Sequence, residues 1–161
     1  DPFGCSFDVL NALGKLDKYA FAPVLISGDG NEYNSLHSKL SEFDEFRMEI
    51  GLDDFEMASE IESCSFGVIG CGSSMFEFGA LKTPFVGLSL ANNQEASARR
   101  IEDEWVLPVA RRSSEGLSAN DLCGAIGSLV DSLEKGRIVE FGEIDLLGTR
   151  RVMQEIEALF S

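Results

Sequence analysis

Histidine is almost missing from this chain: one residue, His37, stands among 161. The four cysteines, Cys5, Cys64, Cys71 and Cys123, form no Cys-x-x-Cys pair, so the ligand spacing of a structural zinc site is absent and no metal is expected. No stretch approaches the roughly 18 to 20 apolar residues that a membrane helix needs, and the amino end lacks the basic-then-apolar order of a secretory signal. Membrane insertion is therefore not expected. Positive charge is also scarce, since 13 Lys and Arg face 28 Asp and Glu for a net charge of −15. Such a surface would repel a polyanion, which excludes nucleic acid as an expected partner and disfavours an anionic membrane.

What remains, at 44% hydrophobic and 25% charged residues, is the composition of one soluble globular domain over residues 1–161. A chain of this length buries a core without staples, so the thiols are expected to be reduced and the compartment cytoplasmic. The chain opens Asp1-Pro2-Phe3-Gly4 without an initiator Met, which leads us to expect a fragment or a processed product.

Phe7, Leu10, Leu13 and Leu16 fall on one face of a first helix ending near Lys18. Ala22 to Ile26 reads as a buried strand closed by Ser27-Gly28-Asp29-Gly30, after which Asn31 can cap a helix through about Leu40. Glu45 to Ile50 is a second strand, followed by an acidic helix from Asp53 or Asp54. Ser65 to Ile69 and Thr83 to Leu88 are further strands around a helix that begins near Met75. A polar helix runs from Asn93 to about Glu102, Trp105 to Leu107 reads as a brief strand, and helices cover Ala119 to Leu133 and Thr149 to Phe160. In the last of these, Val152, Ile156 and Leu159 are expected on the buried side. Strands and helices alternate, which predicts an α/β fold with a parallel sheet and helices on both faces.

In such sheets ligands collect beyond the carboxyl ends of the strands, and here a strand opens into Gly70-Cys71-Gly72-Ser73-Ser74 and then a helix. Gly70 and Gly72 allow torsions and close approach that a Cβ would forbid, Ser73 and Ser74 add hydroxyls, and the helix start offers free amides to a phosphate. The same residues also read as a tight turn with a serine cap. No Gly-Lys-Ser/Thr ends the loop and the GxGxxG spacing is absent, so neither a Walker loop nor a dinucleotide fingerprint is present. Glu77 lies in an otherwise apolar turn of helix, where a carboxylate needs either solvent or a partner such as a ribose diol. Asn92, Asn93 and Gln94 bring amides to the same edge, or simply cap a turn. Arg99-Arg100 and Arg111-Arg112 could bind phosphate, but on an acidic protein such arginines more often pair locally on the surface, and His37 is expected on an exposed helix face. With no histidine near Ser73 or Ser74, a serine hydrolase is disfavoured.

The order Gly70-Cys71-Gly72-Ser73-Ser74-x-x-Glu77, Leu81-Lys82-Thr83-Pro84, a hydrophobic strand and Asn93-Gln94 resembles the carboxyl-terminal, nucleotide-binding half of GT-B fold sugar-nucleotide enzymes. The similarity is to the branch typified by the UDP-2,4-diacetamido-2,4,6-trideoxy-β-L-altropyranose hydrolase of pseudaminic acid synthesis and the related spore-coat polysaccharide glycosyltransferase-like proteins. Asp1-Pro2 and Ile144-Asp145-x-x-Gly148-x-x-Arg151-Val152 resemble flanking features of that branch. Cys71 departs from the Ala or Gly more usual there. The resemblance implies a Rossmann-like domain that lacks its first, central strand. It implies a UDP-sugar substrate without a further cofactor or an obligatory metal, and a catalytic base supplied by an amino-terminal partner half. Gly72, Ser73 and Ser74 would hold the diphosphate, Glu77 the ribose, Asn93 and Gln94 the sugar or its phosphate, and the Gly51 to Phe55 loop the uracil. A binding module without turnover is the alternative.

Overall fold

The computed structural model describes residues 4–27, 33–142, 144, 145 and 147–159, and of residues 33–35 and 149 the backbone alone. The expected α/β alternation is present. In chain order the elements are α1 (Cys5–Gly14), β1 (Val24–Ser27), α2 (Tyr33–Leu40), β2 (Arg47–Ile50), α3 (Asp54–Ser63), β3 (Gly67–Gly70) and α4 (Ser74–Ala80). They continue with β4 (Phe85–Ser89), a 3-10 turn (Asn92–Gln94), α5 (Glu95–Asp103), β5 (Val109–Ser113), β6 (Gly116–Leu117), α6 (Ala119–Glu134) and α7 (Gly148–Leu159). The predicted helix cap at Asn31 lies outside the described residues.

Local chemistry sets the element ends. Asp53 accepts from the amides of Phe55 and Glu56, both at 2.9 Å, while the Glu56 carboxylate accepts from the Asp53 amide at 2.9 Å, so α3 opens on a reciprocal capping box. Ser118 caps α6 through the Asp121 amide. Helix α4 closes with Lys82 donating to Gly79 and Thr83 to Phe78, the paired bonds of a Schellman turn, and this places Lys82 at φ 59, where glycine is usual.

The strands form two sheets. One holds β1 and β2 in parallel; the other runs β3-β4-β5-β6, parallel from β3 to β5 with β6 returning antiparallel as a short hairpin. The two-residue β6 was not expected. At the centre of the larger sheet every residue of β4 is buried. Gly67, Phe85, Ile69 and Gly87 are cross-strand partners, so they share a face. Helix α4 meets that face at Gly67 through Phe78, and α5 meets it at Gly87 through Ile101. Helix α1 packs against both α2 and α6, and α6 in turn against β4 and β5.

An aromatic cluster closes the first face. Phe85 meets Phe78 and Trp105 edge-on at 5.8 and 5.9 Å, and Phe141 stacks on Phe85 at 6.2 Å. Two expectations fail around it. Trp105 to Leu107 is no strand: Val106 sits at φ 55 and the Leu107 amide returns to the Ile101 carbonyl at 3.1 Å, so the segment finishes the turn after α5 and the strand begins beyond Pro108. In α7, Val152, Ile156 and Leu159 are 60, 43 and 81% exposed rather than buried. The physical reason is that Phe141 and Ile144, just ahead of α7, already occupy the core face beside Trp105 and Gly79. The Asp145 carboxylate pairs with Arg151 of α7, joining the two residues of the flanking motif.

All four cysteines are free. Among the described residues no helix is long and apolar enough to cross a membrane.

Candidate functional site

Strand β3 runs straight into the Gly70–Ser74 loop because its ladder with β4 extends one residue past the strand: the Cys71 amide donates to the Leu88 carbonyl at 2.9 Å. The Cys71 side chain then turns inward. It is 1% exposed and lies against Gly87, where an added Cβ would come within 3.0 Å of the sulfur, so the missing Cβ at 87 is what lets the loop be anchored here. Burial pushes the thiol up to about 11, which makes Cys71 an anchor and not a nucleophile at neutral pH.

Beyond the anchor the loop faces outward. The Gly72 amide folds back to the Gly70 carbonyl at 2.8 Å, and Gly72 and Ser73 are exposed. Ser73 occupies the cap position of α4 at φ −62 and ψ −35, but its hydroxyl makes no capping hydrogen bond. The alternative reading of a serine cap is thus not realised. The torsional argument for the glycines also needs correcting: neither Gly70 nor Gly72 has a left-handed φ, and a Cβ built at either meets no atom within 4 Å. The folded chain itself does not require glycine at these two positions; what their lack of a side chain leaves is open backbone at the end of a parallel strand.

Glu77 projects from the first turn of α4 and is exposed, so the carboxylate is carried by solvent rather than by a protein partner. Asn93 is exposed in the 3-10 turn. Gln94 is partly committed: its Oε1 accepts from the Leu90 amide at 2.8 Å, bracing the chain as it leaves β4. The Gly51 to Phe55 loop follows β2 in the other sheet, with Gly51 at φ 64 and Phe55 88% exposed.

Sequence reasoning missed the neighbouring concavity. A cavity of about 520 Å³ opens where β4 and β5 end, lined by Ser89 to Asn92, Glu95 and Arg111 to Ser114. Placing a strand at Trp105 hid it, because the carboxyl end of β5 is Arg111-Arg112-Ser113; the signal available was Pro108 followed by Val109-Ala110 and this polar run. Arg111 is gripped from two sides. It donates to Glu102 at 2.7 and 2.6 Å and to Glu95 at 3.1 Å, and these bonds hold both carboxyl groups below their ordinary range. Arg99 joins Glu95 at 3.1 Å and Arg100 joins Glu104 at 2.9 Å, the local pairing expected of these arginines. His37 is exposed on α2, edge-on to Phe46 at 5.5 Å.

Chemically this edge offers hydrogen-bond donors more than acid–base groups. Among the described residues no cluster of three or more His, Cys, Asp or Glu could hold a metal ion. No family model, curated protein or solved structure matches the chain.

Proposed function

We propose that this chain is a Rossmann-like nucleotide-sugar-binding domain, built as the carboxyl-terminal half of a GT-B type enzyme that cleaves the bond between a sugar and UDP. The observation that carries the reading is the pair of glycines, Gly70 and Gly72, which the fold does not need and which leave bare backbone beside an uncapped helix start. A diphosphate can approach such a loop closely enough to accept from its amides and from Ser73 and Ser74, as a side chain would prevent. Glu77, one turn into α4, accepts from the ribose hydroxyls, and Asn93 with the free amide end of Gln94 reaches toward the sugar phosphate. The cavity ending at Arg111 to Ser114 provides volume for the sugar.

Mechanistically the domain stabilises the leaving group. Preorganised amides disperse charge on the departing UDP without reorganisation at the moment of bond cleavage, while the base that activates water or an acceptor comes from a partner half. A binding module without turnover is the second reading, favoured by the commitment of Arg111 to two carboxylates.

Calorimetric titration with UDP, with CDP and GDP as controls, tests the proposal. Saturable binding that prefers UDP and weakens in Glu77→Ala is the expected result. A folded chain that binds none of the three nucleotides would reject it. Activity restored by an added amino-terminal half would exclude the pure binding module.

A further inference from the structure

Helix α7 carries an apolar stripe that the core does not cover. The helical period sets Val152, Ile156 and Leu159 in one row with Met153 beside it, and these side chains are 60, 43, 81 and 51% exposed. Every residue from 151 to 159 is exposed, so the helix stands clear of the core along this length. Four large apolar side chains side by side, unlike single ones scattered among polar neighbours, mark a contact surface.

The charges beside the stripe say what covers it. The helix is basic at its amino end, with Arg150 and Arg151, and acidic further on, with Glu155 and Glu157. Arg151 and Glu155, one turn apart, share one flank of the stripe; Arg150 and Glu157, two turns apart, share the other. Arg151 pairs with Asp145, whereas among the described residues Arg150, Glu155 and Glu157 make no ion pair.

Two copies of α7 laid antiparallel about a two-fold axis bring each flank against the same flank of the other copy, run in reverse. Opposed residues then lie equally far on either side of the axis. For Val152 to face Ile156 of the second copy the axis must pass at Gln154, and for Arg151 to face Glu155 it must pass at Met153. For Arg150 to face Glu157 it must pass midway between those two. The three conditions agree within one residue, about 1.5 Å of helix. A parallel pair has no such solution, because it sets Arg against Arg and Glu against Glu on both flanks. A membrane surface fits less well, since α7 carries carboxylates beside its guanidinium groups and the chain has a net charge of −15.

We propose that α7 is a self-association surface, on which two copies of this chain pair their α7 helices antiparallel about an axis at Met153 and Gln154. Val152 packs on Ile156 of the second copy, and Arg–Glu pairs close both flanks. The stripe supplies the affinity; the charges, exposed and screened, set the orientation. A contact about 18 Å long lies at the small end of specific interfaces, so the dimer dissociates readily, with a Kd of roughly 1 to 100 μM. This inference does not rest on the nucleotide reading.

Sedimentation equilibrium of the full chain over about 5 to 500 μM tests it, in about 0.15 M salt so that the net charges of the copies are screened beyond about 8 Å. A monomer–dimer equilibrium is the expected result. Ile156→Glu enters the symmetric interface twice and should raise Kd at least about tenfold, while the thermal midpoint of the monomer stays unchanged because the position is exposed. Charge reversal reads the orientation. Neither Arg150→Glu with Arg151→Glu nor Glu155→Arg with Glu157→Arg should dimerise alone, and an equimolar mixture of the two variants should. All four changes in one chain should restore the self-dimer, as antiparallel pairing requires. A chain that is monomeric throughout, or a dimer indifferent to Ile156→Glu, would overturn the proposal. So would two charge-reversed variants that each dimerise like the parent. Flotation with phosphatidylcholine–phosphatidylserine vesicles in place of dimerisation, abolished by Ile156→Glu, would overturn it in favour of a lipid surface.

Discussion

Replacing Gly67 by alanine tests how α4, and with it the Gly70–Ser74 loop, is held on the sheet. A Cβ at Gly67 would stand 2.3 and 2.6 Å from Cε1 and Cζ of Phe78 and 3.2 Å from its Cδ1. The ring has no free direction in which to yield: Phe78 is 8% exposed and abuts Phe85, which is fully buried. Either α4 lifts from β3 or the ring leaves its rotamer, and overpacking of this kind costs about 1 to 3 kcal/mol. In a chain of this size that lowers Tm by roughly 2 to 12 °C. Urea denaturation of Gly67→Ala should show the loss as a lower midpoint at unchanged slope. Phe78→Leu gives the decisive comparison, because the smaller side chain opens a void in the parent but relieves the clash in Gly67→Ala. The double variant should therefore lose less than the two single losses together, by roughly 0.5 to 3 kcal/mol. Additive losses, or a Gly67→Ala variant as stable as the parent, would refute the contact. Gly72→Ala is the counterpart: its Cβ meets nothing within 4 Å, so the fold should be unharmed or gain about 0.4 to 1 kcal/mol, while UDP binding should weaken roughly tenfold or more.

Lys82→Gly should raise stability by about 1 kcal/mol in thermal or urea unfolding, because a side chain at φ 59 is strained and glycine is not; Gly136, at φ 75 after α6, should show the reverse on replacement by lysine. Glu95 and Glu102 have carboxyl groups lowered chiefly by hydrogen bonds from Arg111. Their contribution is thus present above the ordinary value of 4.5 and lost as pH falls through the lowered values, and Arg111→Met should flatten the acid branch of a stability-against-pH curve. Cys71, raised by burial, contributes in the opposite sense: its share is full below 9.0 and lost as pH rises through about 11. At pH 8 the folded protein should therefore show Cys5 and Cys71, both buried, resisting a disulfide reagent that reaches them only on unfolding.

Hydrophobic periodicity located most helices and strands because each buries a side that the pattern records locally. It failed where burial is decided elsewhere. Val152, Ile156 and Leu159 mark α7 as amphipathic, but whether that stripe finds a partner depends on Phe141 and Ile144 having reached the core first. Trp105 and Leu107 are buried, as a strand would be, while the positive φ of Val106 between them is invisible in composition. The division of the sheet is non-local in the same way: Val24 to Ser27 and Gly67 to Gly70 read as buried strands, and only the pairing registers show that nothing among the described residues joins them. At the site, the loop, Glu77 and the 3-10 turn were legible in sequence as features of one edge. The second use of Gln94, and the cavity ending at Arg111, depended on geometry.

These placements also bear on how an acidic chain could hold an anion. The charge of −15 raises the cost of bringing a diphosphate close, and Arg111 offers little compensation while Glu102 and Glu95 hold it at 2.7 and 3.1 Å. Exposed pairs of this kind are worth little individually, but together they fix the end of β5 against α5 and so shape the cavity wall. In the proposed complex the attraction comes from neutral dipoles: the loop amides, the serine hydroxyls and the uncapped start of α4, which interact at close range and lose little to distant charge. Bare glycine backbone is what allows that close range. On the proposed reading, the glycines and the anchoring of Cys71 under Gly87 are two parts of one arrangement, the first admitting the diphosphate and the second keeping the amides in place to meet it.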